Sequence, residues 1–348
     1  MAQLVPLVLS GTDASEAIRG VLRAAVTQHA ALPPTLFHDA VPAALLPLAW
    51  LPAADRWPGA TLLHLAAHAG NQATVTFLLR EGAPWNAVTL SRYSVGEAAR
   101  AAGHAALYQF LVEEGARTEM LMTALEAAQA HASDASDNDD AKPLRYVDAN
   151  TLVDDENNGV MMGWEAPLMA RHAAVIAPTP GRRVLNVGFG LGLVDTALQH
   201  HQPAQHVIIE AHPDVYAKMQ RDGWLSRPGV EVYFGTWQDV LPTLGVFDGI
   251  FFDTFSEHYA DLKAFHDEMI NHLDGDGIYS FFNGLAGTNP FFHDVACDVA
   301  QADLADLGLA THFEVMPVAE LGDATWQGLA RAYWSLPEYR LPICRFAM

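Results

Sequence analysis

The chain has 348 residues, 51% of them hydrophobic, a length and composition that suit about two packed domains. Its formal net charge of −22 argues against nucleic acid and anionic membranes as partners, and either attracts a basic protein or only keeps the chain soluble. The two cysteines, Cys297 and Cys344, make no disulfide framework, and no apolar run reaches the roughly 18 residues of a membrane span, so we expect a cytoplasmic protein.

Two similar segments in the first third of the chain begin at Gly70 and Gly103, a spacing of 33 residues that is the ankyrin period. They read GNQATVTFLLREGAPWN and GHAALYQFLVEEGARTE. The pattern predicts helices over 60–70 and 71–81. Because two repeats do not bury a core alone, apolar-periodic helices at 14–30 and 119–132 are expected to cover their ends. The sequence therefore predicts an ankyrin-like helical domain over residues 1–130.

A polar segment, HASDASDNDDAKP, follows and contains no aromatic residue. This composition is typical of a solvated linker. We therefore predict an acidic linker over residues 131–147 and a second domain over residues 148–348.

Strand-like and helix-like patterns alternate in the second domain. Strands are predicted at 183–187, 206–210, 230–234, 247–253 and 277–282, with helices at 191–200, 213–221, 259–272 and 291–307. This alternation predicts a parallel doubly wound sheet, whose ligands bind beyond the carboxyl ends of its strands. The segment 339–342 either covers the ligand or forms an edge strand, and the pattern leaves both open.

A glycine-rich turn, GFGLG at 188–192, follows the first of these strands. Such a turn lets the backbone approach a ligand, but dinucleotide and S-adenosylmethionine sites share it. Glu210 ends the second strand, where a carboxylate can accept the hydroxyls of a ribose, although a solvent-facing acid is the plainer alternative. Trp237 offers either an adenine contact or a core side chain.

Asp253 ends the fourth strand within the strongly apolar segment FDGIFFDTF. A carboxylate in such surroundings is costly unless it meets a cation or a ligand. The 16 histidines show no spacing typical of metal ligands, so no metal site is predicted.

Seven motifs then occur in one order along the chain: NGVMMGWEAPLM, RVLNVGFGLGLVDTALQ, HVIIEAHPDV, GTWQDVLPTL, FDGIFFDTF, YSFFNGL and YWSLPEYRLPI. Together they resemble the S-adenosylmethionine-dependent guanidino methyltransferases. The nearer branch is the type IV protein arginine methyltransferases of fungi, which methylate the internal δ-nitrogen of arginine. The more distant branch is guanidinoacetate N-methyltransferase, which lacks the repeats. The resemblance implies a Rossmann-like class I methyltransferase fold, an α/β doubly wound sheet, preceded by an all-α ankyrin module.

The resemblance also implies the residues of the site. Those implied to bind the cofactor are Met161, Met169, Gly188, Phe189, Gly190, Leu191, Gly192, Glu210, His212, Trp237, Gln238 and Asp253. Those implied to bind the substrate are Trp164, Glu165, Asp253, Asn283 and Gly284, with Glu165 and Asp253 as the catalytic pair. One departure is that Asn283-Gly284-Leu285-Ala286 lacks the hydroxyls that receive the small substrate's carboxylate in guanidinoacetate methyltransferase.

The chemistry explains why two acids are needed. A guanidinium stays protonated in water, with a pKa above about 12, so its nitrogens are poor nucleophiles. Two carboxylates can bind its fork and localise the positive charge, and one of them, here Asp253, can accept the departing proton. Alternatively, Glu165 is only a favourable charge at a helix N-terminus.

We therefore predict methyl transfer from S-adenosylmethionine to an arginine of a basic protein that the repeats dock, with S-adenosylhomocysteine as product. The departure at 283–286 favours a peptide arginine, and the absence of the paired-glutamate loop of the common arginine methyltransferases disfavours ω-dimethylation. Two alternatives remain: a small-molecule guanidino methyltransferase, and a non-catalytic ankyrin adaptor that only binds cofactor.

Overall fold

The computed structural model describes residues 1–10, 12–27, 36–42, 45, 56–130, 142–254 and 259–347. The chain divides into two units, Met1–Leu125 with Asn289–Val299, and Glu126–Thr288 with Ala300–Met348. Most of the predicted linker, residues 131–141, lies outside the described residues. The predicted boundaries at 130 and 148 remain predictions, and residues 289–299, expected in the second domain, group with the first unit.

The first unit is helical. Its helices are α1 (Leu4–Val8), α2 (Ser15–Thr27), α3 (Leu62–Ala69), α4 (Gln72–Arg80), α5 (Val95–Ala101) and α6 (Ala105–Ala130). The two repeat helices begin at side-chain caps, since Asn71 accepts from the backbone N–H of Thr74 at 3.0 Å, and Ser94 and Glu97 form a capping box. The Asn71 cap explains why α4 starts where the repeat pattern predicts.

The second copy of the repeat differs from the first at its glycine. Gly82 directly follows α4 with a φ of 92°, whereas Gly115 lies inside the continuous helix α6. A Cβ on Gly115 would lie 2.7 Å from the ring of Trp85, so tight packing requires the small residue there. The separate helix predicted at 119–132 is therefore the continuation of α6.

The second unit contains a seven-stranded sheet. Its strands are β4 (Arg183–Val187), β5 (Gln205–Glu210), β6 (Val230–Phe234), β7 (Phe247–Phe252), β8 (Leu273–Phe281), β9 (Leu309–Pro317) and β10 (Glu338–Phe346). They lie in the order β6-β5-β4-β7-β8-β10-β9. The strands β4 to β8 are parallel, and β10 is antiparallel to both β8 and β9.

Helices connect these strands as the sequence predicts. They are α7 (Ala166–Ile176), α8 (Leu193–His200), α9 (Pro213–Arg221), α10 (Trp237–Val240), α11 (Tyr259–Met269) and α12 (Pro290–Asp306), whose first part belongs to the other unit. Apolar residues of each strand point to both faces, as in β4, where Val184 packs on one side and Leu185 and Val187 on the other. The sheet is thus buried on both faces, as an α/β fold requires.

Two features of this unit were not predicted. The segment 339–342 lies in β10, between β8 and β9, which excludes the edge strand that was one of its two predicted alternatives. A separate antiparallel sheet of β1 (Arg145–Asp148), β2 (Thr151–Val153) and β3 (Gly159–Met162) precedes α7. The chain runs from β4 outward through β5 to β6 and then returns to β7, so the strand order reverses between β4 and β7. A ligand crevice is expected there.

Candidate active site

The glycine turn lies at this reversal, directly after β4. Gly188, Gly190 and Gly192 have φ angles of 91°, 53° and 71°. A Cβ on Gly188 would stand 1.9 Å from the carbonyl oxygen of Asp253, the residue after β7. Only glycine permits this approach of the two strand ends. The turn therefore brings Asp253 to the edge of the predicted cofactor site.

The two residues between the glycines use their backbone rather than their side chains. The N–H of Phe189 donates to Oε2 of Glu210 at 2.9 Å, and that of Leu191 donates to the sulfur of Met161 at 3.2 Å. The ring of Phe189 is buried against Trp224, with 5.2 Å between ring centroids. A cofactor contact by Phe189 would therefore come from its main chain.

Glu210 joins the glycine turn to the end of β5. Its carboxylate accepts the N–H of Phe189 and, at 2.7 Å through Oε1, that of His212. Burial raises the pKa of Glu210, and these two hydrogen bonds oppose the rise. Each oxygen keeps a further lone pair, which can accept a ribose hydroxyl.

The ring of His212 is already engaged as the N-cap of α9. Its Nδ1 accepts from the N–H of Asp214 at 3.2 Å, and its Nε2 lies 2.8 Å from the carbonyl oxygen of Lys142. The two ring nitrogens are thus used within the protein. The predicted ribose contact of His212 stays a prediction, and in this arrangement it would use other atoms than those nitrogens.

The predicted adenine contacts lie on α10, after β6. Trp237 is half-buried, with its ring edge-on to Phe265 at 5.2 Å, while Gln238 is exposed. Thr236 caps the helix through Asp239, to which it donates at 2.9 Å. Trp237 therefore both packs on the core and presents part of its surface.

Methionine and tyrosine side chains from the small sheet reach the same turn. Met161 contacts the turn through its sulfur, and a Cβ on Gly190 would lie 2.9 Å from that sulfur. Tyr146, which the sequence analysis did not identify, donates to the carbonyl oxygen of Gly190 at 2.9 Å. Met169 is fully buried in the core cluster beneath α7. Of the two predicted methionines, Met161 is the one that touches the turn.

Glu165 sits at the junction of β3 and α7, where a short 3-10 helix, Gly163–Glu165, leads into Pro167 at the start of α7. The side chain is only 2% exposed. Its Oε1 accepts the N–H of Met162 at 2.9 Å and the hydroxyl of Tyr333. Burial raises the pKa of Glu165 to about 7, and the two hydrogen bonds oppose that rise. In the described part of the chain, both bonds fall on Oε1, which leaves Oε2 open.

Asp253 is the second buried carboxyl of the site. Its backbone N–H donates to Val187 at 2.9 Å, which fixes it at the end of β7. Its Oδ2 is buried and has no hydrogen-bond partner among the described residues. Burial raises the pKa of Asp253 well above its usual value, and the negative charges of Glu165 and Asp195 raise it further.

The negative charge of Glu165 acts on Asp253, so the two carboxyls lie near each other, and their role as the catalytic pair stays a prediction. No lysine or arginine is among the groups that shift either pKa. Two buried acids, each with an open oxygen and no cation of the described chain between them, are unfavourable by themselves. Such an arrangement is stabilised by a bound cation with two hydrogen-bonding edges.

Aromatic side chains pack around Trp164, the residue before Glu165. Trp164 lies 5.9 Å from Tyr333, 6.0 Å from Trp334 and 6.4 Å from Trp326 between ring centroids. Trp164, Trp326 and Tyr333 are half-buried, whereas Trp334 belongs to the core. Tyr333 lies in the motif YWSLPEYRLPI, but no role was predicted for it, and Trp326 lies outside the seven motifs. Nothing local in the sequence joins them to Glu165.

A buried chain of hydrogen bonds positions the loop after β8. The N–H of Asn283 donates to the hydroxyl of Tyr339 at 2.8 Å, which lies 2.9 Å from Nε2 of His172. Nδ1 of His172 lies 2.7 Å from the hydroxyl of Ser280, and that hydroxyl donates to Pro342. Burial lowers the pKa of His172 to about 3, so the ring is neutral. Each polar group in this series of hydrogen bonds has a partner.

The amide side chain of Asn283 donates to the carbonyl oxygen of Arg340 at 3.0 Å. Gly284 follows, and a Cβ there would lie 2.7 Å from the ring of Phe282. Asn283 thus anchors its loop on β10, and its role in substrate binding remains a prediction. In the described parts of the chain, no three His, Cys, Asp or Glu side chains group as metal ligands do. None of the helices there has the length and apolar character needed to cross a membrane.

The strand order, with a glycine turn after the first parallel strand, an acid at the end of the second and an antiparallel pair at the far edge, defines a class I S-adenosylmethionine-dependent methyltransferase fold. The sequence profile of guanidinoacetate N-methyltransferase matches residues 129–284, and that of the ankyrin repeat matches residues 59–90. The crystal structure of precorrin-6y C5,15-methyltransferase from Geobacter metallireducens is similar over 52% of this chain and 87% of its own, with 14% identity and a TM-score of 0.40.

Curated relatives extend over both units. Protein arginine N-methyltransferase 2 of Aspergillus oryzae is 39% identical over 322 residues, which cover 79% of this chain and 78% of the relative. The protein of the same name from Cryptococcus neoformans is 34% identical and covers 83% and 86%. The chain belongs to the protein arginine N-methyltransferase 2 family. The expected fold, including the N-terminal ankyrin module, is thereby confirmed.

Proposed function

We propose that the protein transfers a methyl group from S-adenosylmethionine to the internal δ-nitrogen of an arginine within a protein. The observation that carries this proposal is the pair of buried carboxyls, Glu165 and Asp253, each with an open oxygen. Relatives named protein arginine N-methyltransferase 2 support arginine as the substrate residue, since they are 31–44% identical to this chain over the aligned residues.

The residues present fit the cofactor. The glycine turn lets the backbone lie against Asp253 and Met161, where Cβ atoms would collide, and Glu210 has lone pairs for the ribose. Met161 supplies apolar surface at the turn, and the half-buried Trp237 presents part of its ring. S-adenosylmethionine supplies a methyl group on a positively charged sulfur, and S-adenosylhomocysteine remains after the transfer.

Glu165 and Asp253 bind and orient the substrate. Oε2 of Glu165 and Oδ2 of Asp253 accept hydrogen bonds from the two terminal nitrogens of the guanidinium. This binding localises positive charge on those nitrogens and leaves the internal nitrogen free to attack. The internal nitrogen carries the side-chain stem, which the half-buried Trp164 can cover. Holding the attacking nitrogen in place supplies much of the rate.

Asp253 is the residue that accepts the proton. The nitrogen loses one proton as it bonds to the methyl carbon, and Asp253 lies at the glycine turn, where the cofactor is proposed to bind. Its raised pKa makes it a stronger base than an exposed aspartate. Glu165 holds the opposite edge of the guanidinium throughout.

The loop after β8 favours an arginine inside a peptide over free guanidinoacetate. Asn283 already donates its side-chain amide to Arg340, and the next residues, Gly284, Leu285 and Ala286, carry no hydroxyl. A free carboxylate on a small substrate would find no hydroxyl donor in this segment. A peptide arginine brings no such carboxylate.

The ankyrin-like unit is proposed to bind the protein that carries the arginine. Between α4 and α5 the chain turns back on itself, with Thr89 donating to Tyr93 at 3.0 Å. Leu90, at the tip of this turn, is 82% exposed, and Val88 beside it is 42% exposed. Exposed apolar side chains on a projecting turn are suited to a protein partner.

The test uses methyl-labelled S-adenosylmethionine with an arginine-rich protein, an arginine peptide and guanidinoacetate. We expect label on peptide arginine, and mass-spectrometric fragments that place it on the δ-nitrogen. Turnover of guanidinoacetate alone would favour the small-molecule reaction. Cofactor binding without any transfer would favour an adaptor. Label on the terminal nitrogens would refute the δ-nitrogen while keeping the arginine.

A further inference from the structure

Tyr333 links the C-terminal segment to the candidate catalytic glutamate. Its hydroxyl donates to Oε1 of Glu165 and accepts the indole N–H of Trp164 at 3.2 Å. The two partners lie 168 and 169 residues earlier in the chain. Tyr333 therefore joins Glu165 to the segment that leads into β10.

The ring of Tyr333 is held in place by packing on several sides. A Cβ on Gly159 would lie 2.7 Å from the ring, so β3 passes directly against it. Trp326 contacts the ring edge-on, with 5.1 Å between centroids. The N–H of Ala330 donates to Asn157 at 2.9 Å, which ties the segment to the turn before β3. A ring fixed in this way can direct its hydroxyl at one oxygen.

We propose that Tyr333 is a positioning residue, which holds Oε1 of Glu165 so that Oε2 faces the guanidinium of the substrate. The proposal rests on the function proposed above. With Met162, Tyr333 occupies one oxygen completely, and rotation of the carboxylate would break both bonds. The open oxygen of Glu165 is then held in one direction.

The hydroxyl also influences the ionisation of Glu165. Among the described residues, Tyr333 acts on Glu165 through its hydrogen bond, while Glu165 and Asp195 act on Asp253 through their negative charges. Burial and the negative charges of Glu165 and Asp253 raise the pKa of Tyr333, so its hydroxyl stays a donor. That hydrogen bond lowers the pKa of Glu165 against the larger effect of burial. Removing it should make the carboxylate harder to ionise.

The test is Tyr333→Phe, which keeps the ring and its packing and removes only the hydroxyl. The control is Tyr108→Phe in the first unit, where a half-buried tyrosine also donates to a carboxylate, Asp294. The first measurement is kcat/KM for an arginine peptide against pH. We expect the acid limb of the profile to move upward by about one to two pH units in Tyr333→Phe. A hydrogen bond to a charged group contributes a free energy that corresponds to a pKa shift of about this size. Tyr108→Phe should leave the limb unchanged.

The second measurement follows the glutamate carboxyl signals by NMR during a pH titration of the ligand-free protein, with Glu165→Gln to assign Glu165. It does not depend on turnover, so an enzyme that fails to methylate arginine would refute the proposed function without removing this test. An upward shift of the Glu165 midpoint in Tyr333→Phe supports the proposal. An unmoved midpoint, or an activity loss equal at every pH, would overturn it.

Discussion

The replacement Asp253→Asn should stabilise the fold while it removes activity. The folded protein holds the Asp253 carboxyl buried and unpartnered at Oδ2, and burial raises its pKa well above the unfolded value. A raised pKa means that the folded state is favoured while the group is protonated and loses stability as pH rises through the folded pKa. Asparagine has no charge to bury, so this loss disappears.

The stability gain is the cost of keeping the buried carboxyl ionised, about 1.4 kcal/mol for each pH unit between its unfolded and folded pKa values. A gain of about 1–3 kcal/mol corresponds to a rise in Tm of about 2–10 °C. The gain should be near zero at about pH 2–3, where the carboxyl is protonated in both states, and should grow toward pH 8. Asp253 thus behaves as a functional residue kept at the expense of stability.

The loss of activity should be large. Removing one partner of a buried charge pair costs about 3–5 kcal/mol, which corresponds to a fall in kcat/KM of about 10²–10⁴-fold. The residual rate should come from the orientation that Glu165 still provides.

The assay combines calorimetric melting across pH with initial rates on an arginine peptide. The matched control is Asp248→Asn, at the opposite end of β7, where the carboxylate is partly exposed and accepts from the N–H of Arg183 at 2.7 Å. The control should lower Tm slightly and leave kcat/KM unchanged. An Asp253→Asn variant that is less stable at pH 8, or that keeps more than about a tenth of the activity, would refute the reasoning.

Three further changes test other parts of the structure. Glu165→Gln should reduce kcat/KM about 100-fold and remove the step near pH 7 from its pH profile, as measured by initial rates; a step that persists would assign the ionisation elsewhere. Gly188→Ala places a Cβ 1.9 Å from the carbonyl oxygen of Asp253, so calorimetry should show at least about tenfold weaker binding of S-adenosylhomocysteine, whereas Gly181→Ala, also at positive φ but in open space, should bind normally and cost about 1 kcal/mol. Leu90→Asp should raise KM for a protein substrate about tenfold and leave a short arginine peptide unaffected; equal effects on both substrates would place docking elsewhere.

The sequence predicted the elements whose signals are local. The glycine turn and the strands β4 and β6 lie at the predicted positions, and β4 is buried on both faces, as its mostly apolar run indicates. The helices of the first repeat were predicted from another local signal, the 33-residue ankyrin period. The strands β1, β2 and β3 were not predicted, because each has only three or four residues and too short a pattern to indicate a strand.

The rest depends on contacts between distant parts of the chain. Glu165 and Asp253 lie 88 positions apart, and only the resemblance to a known family, not their spacing, brought them together. Tyr333 precedes β10, which lies between β8 and β9, and the ambiguous pattern at 339–342 did not indicate that position or the contact with Glu165. The ring of His212 caps α9, because a histidine before Pro213 also satisfies a helix N-terminus, and its predicted ribose contact stays a prediction.

The most direct measurement is a crystal structure of the protein with S-adenosylhomocysteine and an arginine peptide. We expect the guanidinium between Oε2 of Glu165 and Oδ2 of Asp253, each at about 2.7–2.9 Å, with the internal nitrogen facing the sulfur. A guanidinium bound outside this pair, or held by only one of the two carboxylates, would contradict the mechanism.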